Sequence, residues 1–446
     1  MPNLIHSSLL VNNSIYQGEA VSNLKMTGFG NHFESEAIPG HLPIGQNSPQ
    51  QVKAGLYAEL LTGSAFTQER QANKKVWLYK LRPSVTGTKL KEVHYEKFQS
   101  FVSSEYNTPE QLRWLPMPDS APNTNFLNSI FTMVACGSPG ESGGAIHHYS
   151  FNTSMRNQYF YSADSESLFI PQKESLIIST ETGKFHISPL EILIIPRGMK
   201  FKVDLEKEGQ EAKGYYFENY GLPMGLPELG PIGSSGLANP RDFETAKAEF
   251  EEKLGECKLT RKFQGRFWEN TVPDSPLDVV AWHGNYAPFK YDLRKFNTIN
   301  SVSFDHPDPS IFTVLSSPSP IHGKANMDFV IFPPRWMVAE NTFRPPYYHR
   351  NLMNEYMGLI HGTYDAKEEG FLPGGSSLHS CMSPHGPEKL VFDKATKAKL
   401  EPQYLADTMA FMLEGHHIFN PTKQAMEAGF KDDNYSQCWS GLDRNF

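Results

Sequence analysis

Leu168-Phe169-Ile170-Pro171, Ser175-Leu176-Ile177-Ile178-Ser179, Lys184-Phe185-His186-Ile187 and Glu191-Ile192-Leu193-Ile194-Ile195-Pro196-Arg197-Gly198 follow one another with only short polar turns between them. Each apolar run stops after four or five residues, too soon for a helix, and the runs are rich in Ile, Leu and Phe. Regularly spaced short strands with turn residues between them are the rhythm of a β-barrel or sandwich. The last run ends in Pro-Arg-Gly, which redirects the chain. This texture extends over about residues 145–220 and predicts a mainly β protein.

Outward from that stretch the chain is less regular. Residues 1–25 are polar and pattern-free and read as an N-terminal extension. Between about 50 and 130 one strand-like piece, Val76-Trp77-Leu78-Tyr79-Lys80-Leu81, sits among turns such as Leu115-Pro116-Met117-Pro118. Downstream, Phe243, Ala246, Phe250 and Leu254 recur at helical spacing with charges between them, which predicts an amphipathic surface helix. From about 295 a second strand-rich region opens with Thr298-Ile299-Asn300-Ser301-Val302-Ser303-Phe304 and continues with Asp328-Phe329-Val330-Ile331-Phe332. The expected division is an extension, 1–25, an N-terminal domain, 26–294, and a C-terminal barrel, 295–446.

The chain of 446 residues is long enough for two or three cores. A formal charge of -8 without any long Lys/Arg run speaks against a nucleic-acid partner. Four cysteines, far apart and without a CxxC pair, are expected to be reduced thiols in a cytoplasmic protein rather than disulfides or a zinc-thiolate site. No positively charged leader region precedes Lys25, and no apolar run approaches the roughly 20 residues of a membrane helix. Neither export nor a membrane partner is expected.

The chemistry concentrates late in the chain. Seven of the 16 histidines fall from His283 to His385. In the segment Tyr347-Tyr348-His349-Arg350-Asn351-Leu352-Met353-Asn354-Glu355, His349 and Glu355 are six apart, and an even offset places side chains on one face of a strand. His385, in Ser383-Pro384-His385-Gly386-Pro387, is the candidate third ligand from an adjacent strand. Two imidazoles and a carboxylate leave open positions on an octahedral metal, as non-haem Fe(II) requires to hold a substrate and dioxygen together. Zinc uses the same donors, so the set alone does not name the metal.

A single histidine among aromatics is ordinarily a hydrogen-bonded core residue; three candidates together weigh against that. The pairs His147-His148 and His416-His417 are set aside, because neighbours in a strand face opposite sides. His306, where an expected strand enters a turn, is a candidate proton acceptor. The run Gly370-Phe371-Leu372-Pro373-Gly374-Gly375-Ser376-Ser377-Leu378-His379 has the composition of a mobile cover or of a plain turn.

The order of the 168–198 strands is similar to that of a cupin, and the chain resembles the homogentisate 1,2-dioxygenase family from about Gly28 almost to its C-terminus. The resemblance is carried by Gly63-Ser64-Ala65-Phe66-Thr67, Gly236-Leu237-Ala238-Asn239-Pro240-Arg241-Asp242-Phe243, Val280-Ala281-Trp282-His283-Gly284-Asn285-Tyr286, Phe332-Pro333-Pro334-Arg335-Trp336 and Phe371-Leu372-Pro373-Gly374-Gly375. It implies a degenerate N-terminal cupin barrel, a C-terminal barrel carrying Fe(II), and a homohexamer built from two trimers. It places His349, Glu355 and His385 on the iron ligands and His306 on the active-site base. Tyr364, His379 and His385 fall on substrate-contacting positions, with Tyr364 to Gly375 matching a loop that orders over the site.

Against the general cupin pattern, the second histidine of His-x-His is Asn351 here, while the spacing from Glu355 to Gly362 is kept. The activity implied is ring cleavage of homogentisate by dioxygen to 4-maleylacetoacetate, in phenylalanine and tyrosine catabolism. The rival readings are a gentisate-type cupin dioxygenase, disfavoured by Glu355 where three histidines are usual, a metal-binding cupin without turnover, and a zinc hydrolase, whose helical His-Glu-x-x-His spacing is absent.

Overall fold

The structure, a computed structural model, describes residues 25–301, 303–367 and 370–446. The expected extension thus lies outside the described residues but for Lys25, which starts the strand Lys25–Thr27. The fold is mainly β, as expected.

Glu191–Ile195 shows how the layers are built. Ile192 and Ile194 pack into one core with Phe329, Leu359 and Phe411, while Leu193 and Ile195 pack into another with Ile178, Phe201 and Val203. Side chains alternate across a strand, so a strand that is apolar at both parities needs cover on both faces. Its sheet has nine strands and supplies that situation: Phe289–Asp292, Glu191–Ile195, Glu166–Lys173, Ala212–Asn219, Ser142–Phe151 and Phe131–Ser138 lie side by side. One face packs on a seven-stranded sheet containing Leu176–Thr180, Gly183–Ile187 and Phe201–Leu205, which closes the N-terminal barrel.

The other face packs on a six-stranded sheet. Its order is Thr313–Pro318, Ala325–Phe332, Thr408–Gly415, Asn354–Gly362, Ser376–His379 and Leu112–Trp114. The last strand comes from the N-terminal half, and in return Asn420–Pro421 pairs with Ala135 and Val134 of the nine-stranded sheet. Polar groups caught between the layers find partners across them. Tyr356 Oη lies 2.9 Å from His148 Nε2, and Tyr215 Oη donates to the carbonyls of Leu359 at 3.1 Å and Gly375 at 2.7 Å. Gly362 closes the Asn354–Gly362 strand at φ +71°, where a Cβ would stand 2.1 Å from the Asp407 carbonyl oxygen; only glycine fits that turn.

Two expectations fail. The helix expected from Phe243 to Leu254 is absent: Glu244–Ala246 is a strand paired with Lys25–Thr27, and another strand begins at Leu254. Phe243 stacks on Tyr291 at 4.4 Å, and Glu251, at the helix's would-be solvent face, instead binds Lys202, Ser275 and Tyr159. Tertiary pairing outweighs a helical period of four apolar residues. Nor is Thr298–Phe304 a strand among the described residues, Val302 lying outside them. Asn300 ties this segment through its side chain to the Trp336 carbonyl and the Ser301 amide, so alternation here has no ladder behind it.

Tyr215→Phe removes one partner from each of two buried carbonyls next to the site-bearing strand. It should lower stability by ~1–3 kcal/mol, read as a lower urea midpoint at unchanged slope. A wild-type midpoint would show that this hydroxyl does not help hold the layers together.

Candidate metal centre

Glu355 is the second residue of the Asn354–Gly362 strand, paired across the sheet with His379 on one side and Glu414 on the other. Register partners share a face. The row therefore turns two carboxylates and an imidazole to one side of the sheet, and Asp328, the partner of Glu414, extends it.

His349 does not share Glu355's strand. It lies before a turn, in a segment bridged to the loop that holds His385: His349 N donates to His385 O at 2.9 Å and His385 N to His349 O at 3.1 Å. This two-residue bridge, rather than strand parity, brings the imidazoles together, with ring centroids 4.2 Å apart. One ligand atom from each of His349, Glu355 and His385 lies within 4.8 Å of the others.

The donors fit a divalent cation. His349 Nδ1 sits 2.8 Å from the Tyr347 carbonyl oxygen and His385 Nδ1 2.9 Å from that of Ser383. A carbonyl only accepts, so each Nδ1 carries the proton and each neutral ring offers a lone pair at Nε2. His385 Nε2 is 2.9 Å from Glu355 Oε2, and His349 Nε2 is 3.8 Å from Glu355 Oε1. Lone pairs facing a carboxylate this closely require a shared cation, either a proton or a metal ion. Burial opposes ionisation of Glu355, but the facing imidazoles of His349, His379 and His385 hold its carboxyl well below the usual range. The carboxylate of Glu355 beside it raises His349 against its own burial.

The surroundings hold the ligands. Asn351 Nδ2 donates to Glu355 Oε1, so the residue replacing a second histidine orients the carboxylate. His379 is stacked on His385 at 4.0 Å and 14°, with Nε2 3.0 Å from Tyr435 Oη. Burial, then the charge of Lys367, lowers His379 well below an ordinary histidine and keeps it neutral. Lys367, itself lowered to about 8 chiefly by burial, hydrogen-bonds the same tyrosine hydroxyl. Glu414 is pushed up to about 8 by burial and by the carboxylates of Glu355, Asp328 and Asp308, so it is largely protonated at neutral pH.

His349, Glu355, His385, His379, Lys367 and Glu414 line a cavity of about 500 Å³ that also receives His306, Tyr364, Arg335 and Arg344. His306 Nε2 lies 2.6 Å from the Phe343 carbonyl oxygen, which fixes the Nε2–H tautomer and leaves Nδ1 as the basic atom. Tyr364 is buried, and burial raises its hydroxyl far above the usual range, so it remains a neutral donor. In the expected cover, Glu368 and Glu369 lie outside the described residues, whereas Gly374 N donates to Leu359 O at 2.8 Å and Phe371 is buried.

All the candidate residues read from the sequence therefore border one space. His147 and His148 do face opposite cores, the first against Phe98 and Glu218, the second against Tyr215 and Tyr356. His416 and His417 follow the end of a strand, and their rings lie 4.1 Å apart; His416 Nδ1 is engaged by the Ala325 carbonyl. Sequence reasoning missed Glu414 and Tyr435. The first had a signal, a lone acid ending the apolar run Met409-Ala410-Phe411-Met412-Leu413, and the second had none.

Comparison with known proteins adds an independent line. Residues 24–293 match the family model described as homogentisate 1,2-dioxygenase N-terminal and residues 294–446 its C-terminal counterpart. A homogentisate 1,2-dioxygenase of Pseudomonas entomophila is 53% identical over 422 residues, covering 94% of this chain and 96% of that protein. One of Pseudomonas putida matches to the same extent, at 53% over 94% and 96%. Among solved structures, a cupin 2 conserved barrel domain protein from Leptotrichia buccalis aligns with 67% of this chain and 91% of its own, at 9% identity and a TM-score of 0.28, too low to argue from. With both family models in sequence and half of all positions identical to such relatives, the chain belongs to the homogentisate 1,2-dioxygenase family.

Proposed function

We propose that the chain is a ring-cleaving dioxygenase that converts homogentisate and dioxygen to 4-maleylacetoacetate, with Fe(II) held by His349, Glu355 and His385. The reaction incorporates both oxygen atoms and needs no external reductant, so substrate plus dioxygen balances product. The observation that carries this reading is the convergence of three ligand atoms within 4.8 Å beside a cavity large enough for one aromatic ring, in a chain of this family. Bound Fe(II) would supply the charge that favours a phenolate and the redox exchange that ground-state dioxygen requires.

The protein's own groups do the rest. Met337, Met357, Met412, Phe312 and Phe332 give the cavity apolar walls that exclude water from the ring. His306, with Nε2 committed to Phe343 O, accepts the proton of the hydroxyl beside the acetate arm at Nδ1. Tyr364 contributes a neutral hydroxyl to the substrate. His385 meets the substrate from its place among the ligands, and His379 borders the same space while bracing His385 from behind.

In this reading the iron-bearing unit is 295–446, completed by the edge strand Leu112–Trp114. A homohexamer of two trimers and a cytoplasmic location accompany it. Among the described residues no helix is long and apolar enough to cross a membrane.

Metal-stripped protein should regain oxygen uptake on homogentisate with Fe(II) and not with redox-inert Zn(II); equal rescue by both would sink the chemistry. Gentisate, whose carboxylate sits directly on the ring, should be turned over on the order of 10²-fold more slowly, because about 1 Å of misplacement costs that much. Comparable rates would overturn the substrate assignment.

His349→Ala and His385→Ala should lose both iron and turnover while the cooperative melt persists. His306→Ala should keep its iron and lose about 10²–10⁴-fold in rate. Iron content and oxygen uptake, measured on all three, would expose a wrong assignment as full activity in any of them.

A further inference from the structure

A buried cavity that takes a small carboxylic acid needs a cation for it, and four basic side chains border this one: Arg335, Arg344, Arg350 and Lys367. Three have other commitments. Arg335 donates to Asp365 Oδ2 at 2.6 Å and to the Pro333 carbonyl at 3.1 Å, in a nearly solvent-free pair. Lys367 is bonded to the Tyr435 hydroxyl and lies over the rings of Phe371 and Tyr435 at 5.3 and 4.8 Å. Arg350 is exposed to solvent, where its charge is hydrated and screened.

Arg344 differs from all of them. Its Nη1 is buried with no hydrogen-bond partner, and among the described residues no ion pair involves it. A buried guanidinium donor left unsatisfied is costly and calls for an acceptor that the protein itself does not provide. Its place in the chain says which acceptor. Arg344 directly follows Phe343, whose carbonyl fixes His306, and precedes the ligand His349 by one short loop. In homogentisate the acetate arm is ortho to the hydroxyl that His306 would deprotonate, so base and carboxylate anchor must be neighbours. His306 is tied to the residue just before Arg344, and both side chains border the same cavity.

We infer that Arg344 is the specificity-determining residue that takes the carboxylate of the substrate's acetate arm. This rests on the ring-cleavage reading above. The guanidinium offers parallel N–H donors that match a carboxylate's two oxygens. The methylene of the arm lets that carboxylate turn out of the ring plane to meet them, which a carboxylate fixed directly to the ring cannot do. Arg344 thereby sets which ring carbon faces the metal.

The test compares homogentisate with methylhydroquinone, which has the same ring and a neutral arm, on full-length Fe(II)-loaded wild type, Arg344→Met, Arg344→Gln and Lys367→Met. Turnover is read as oxygen uptake, and binding as Kd in anaerobic titrations, with iron content and melting recorded for each protein. In the wild type kcat/KM should favour homogentisate. In Arg344→Met that preference should fall by about 10- to 100-fold, the worth of a hydrogen bond to a charged group. The loss should lie mainly in KM and be matched by a weaker Kd for homogentisate alone.

Arg344→Gln keeps a polar side chain without the charge and carries the same comparison if the Met variant loses iron or its cooperative melt. An unchanged preference and Kd in the folded Arg344 variants would overturn the inference, as would collapse of the preference in Lys367→Met instead. Failure of the wild type to consume homogentisate would count against the ring-cleavage reading, while the anaerobic Kd values would still judge Arg344.

Discussion

The nine-stranded sheet has no solvent face over its central strands, and this double burial governs the rest of the molecule. Ile192 and Ile194 belong to one core and Leu193 and Ile195 to the other, so the same strand seals the N-terminal barrel and backs the sheet that carries Glu355. Polar groups inside such a stack must find partners in the neighbouring layer, because water does not reach them. His148 with Tyr356, and Tyr215 with the carbonyls of Leu359 and Gly375, are those partners. The strand presenting Glu355 is thereby fixed from behind by hydrogen bonds as well as by packing.

In front of that strand the arrangement is electrostatic. Glu355, His379 and Glu414 are register neighbours, and the sheet forces them together whatever their charges. Each adopts the state that lessens the conflict: Glu355 ionised against three imidazoles, His379 neutral, and Glu414 largely protonated. The backbone bridge between His349 and His385 contributes the remaining precision, since it fixes two loops to each other and so does not depend on either being part of a strand.

Much of this was legible in the chain. The run ending at Ile195 predicted a short strand of a barrel or sandwich, and Glu191–Ile195 is a strand; that both its faces are buried shows only in the packing. His349, Glu355 and His385 could be picked out because ligand chemistry restricts residue types so strongly. What escaped depended on contacts distant in sequence. The helical spacing from Phe243 was genuine but was overridden by pairing with Lys25–Thr27, more than two hundred residues away. The bridge that sets His349 beside His385 leaves no periodic trace, and Tyr435 reaches His379 from a segment without any motif. The unpartnered Nη1 of Arg344 is a property of its surroundings, and no spacing rule encodes it.

The exchange of strands between the halves has a temporal side. Leu112–Trp114 closes the edge of the sheet that carries Glu355, but its partner segment, Ser376–Leu378, emerges from the ribosome long afterwards. At roughly 5–20 residues per second the nascent chain must keep that early strand unpaired for on the order of ten seconds to a minute. Asn420–Pro421 then returns to the nine-stranded sheet last of all. The layer that carries Glu355 is therefore assembled after synthesis has almost ended. A chain stalled or cleaved before residue 376 presents an open sheet edge to its neighbours, so cells making this protein have reason to chaperone its first half until the second arrives.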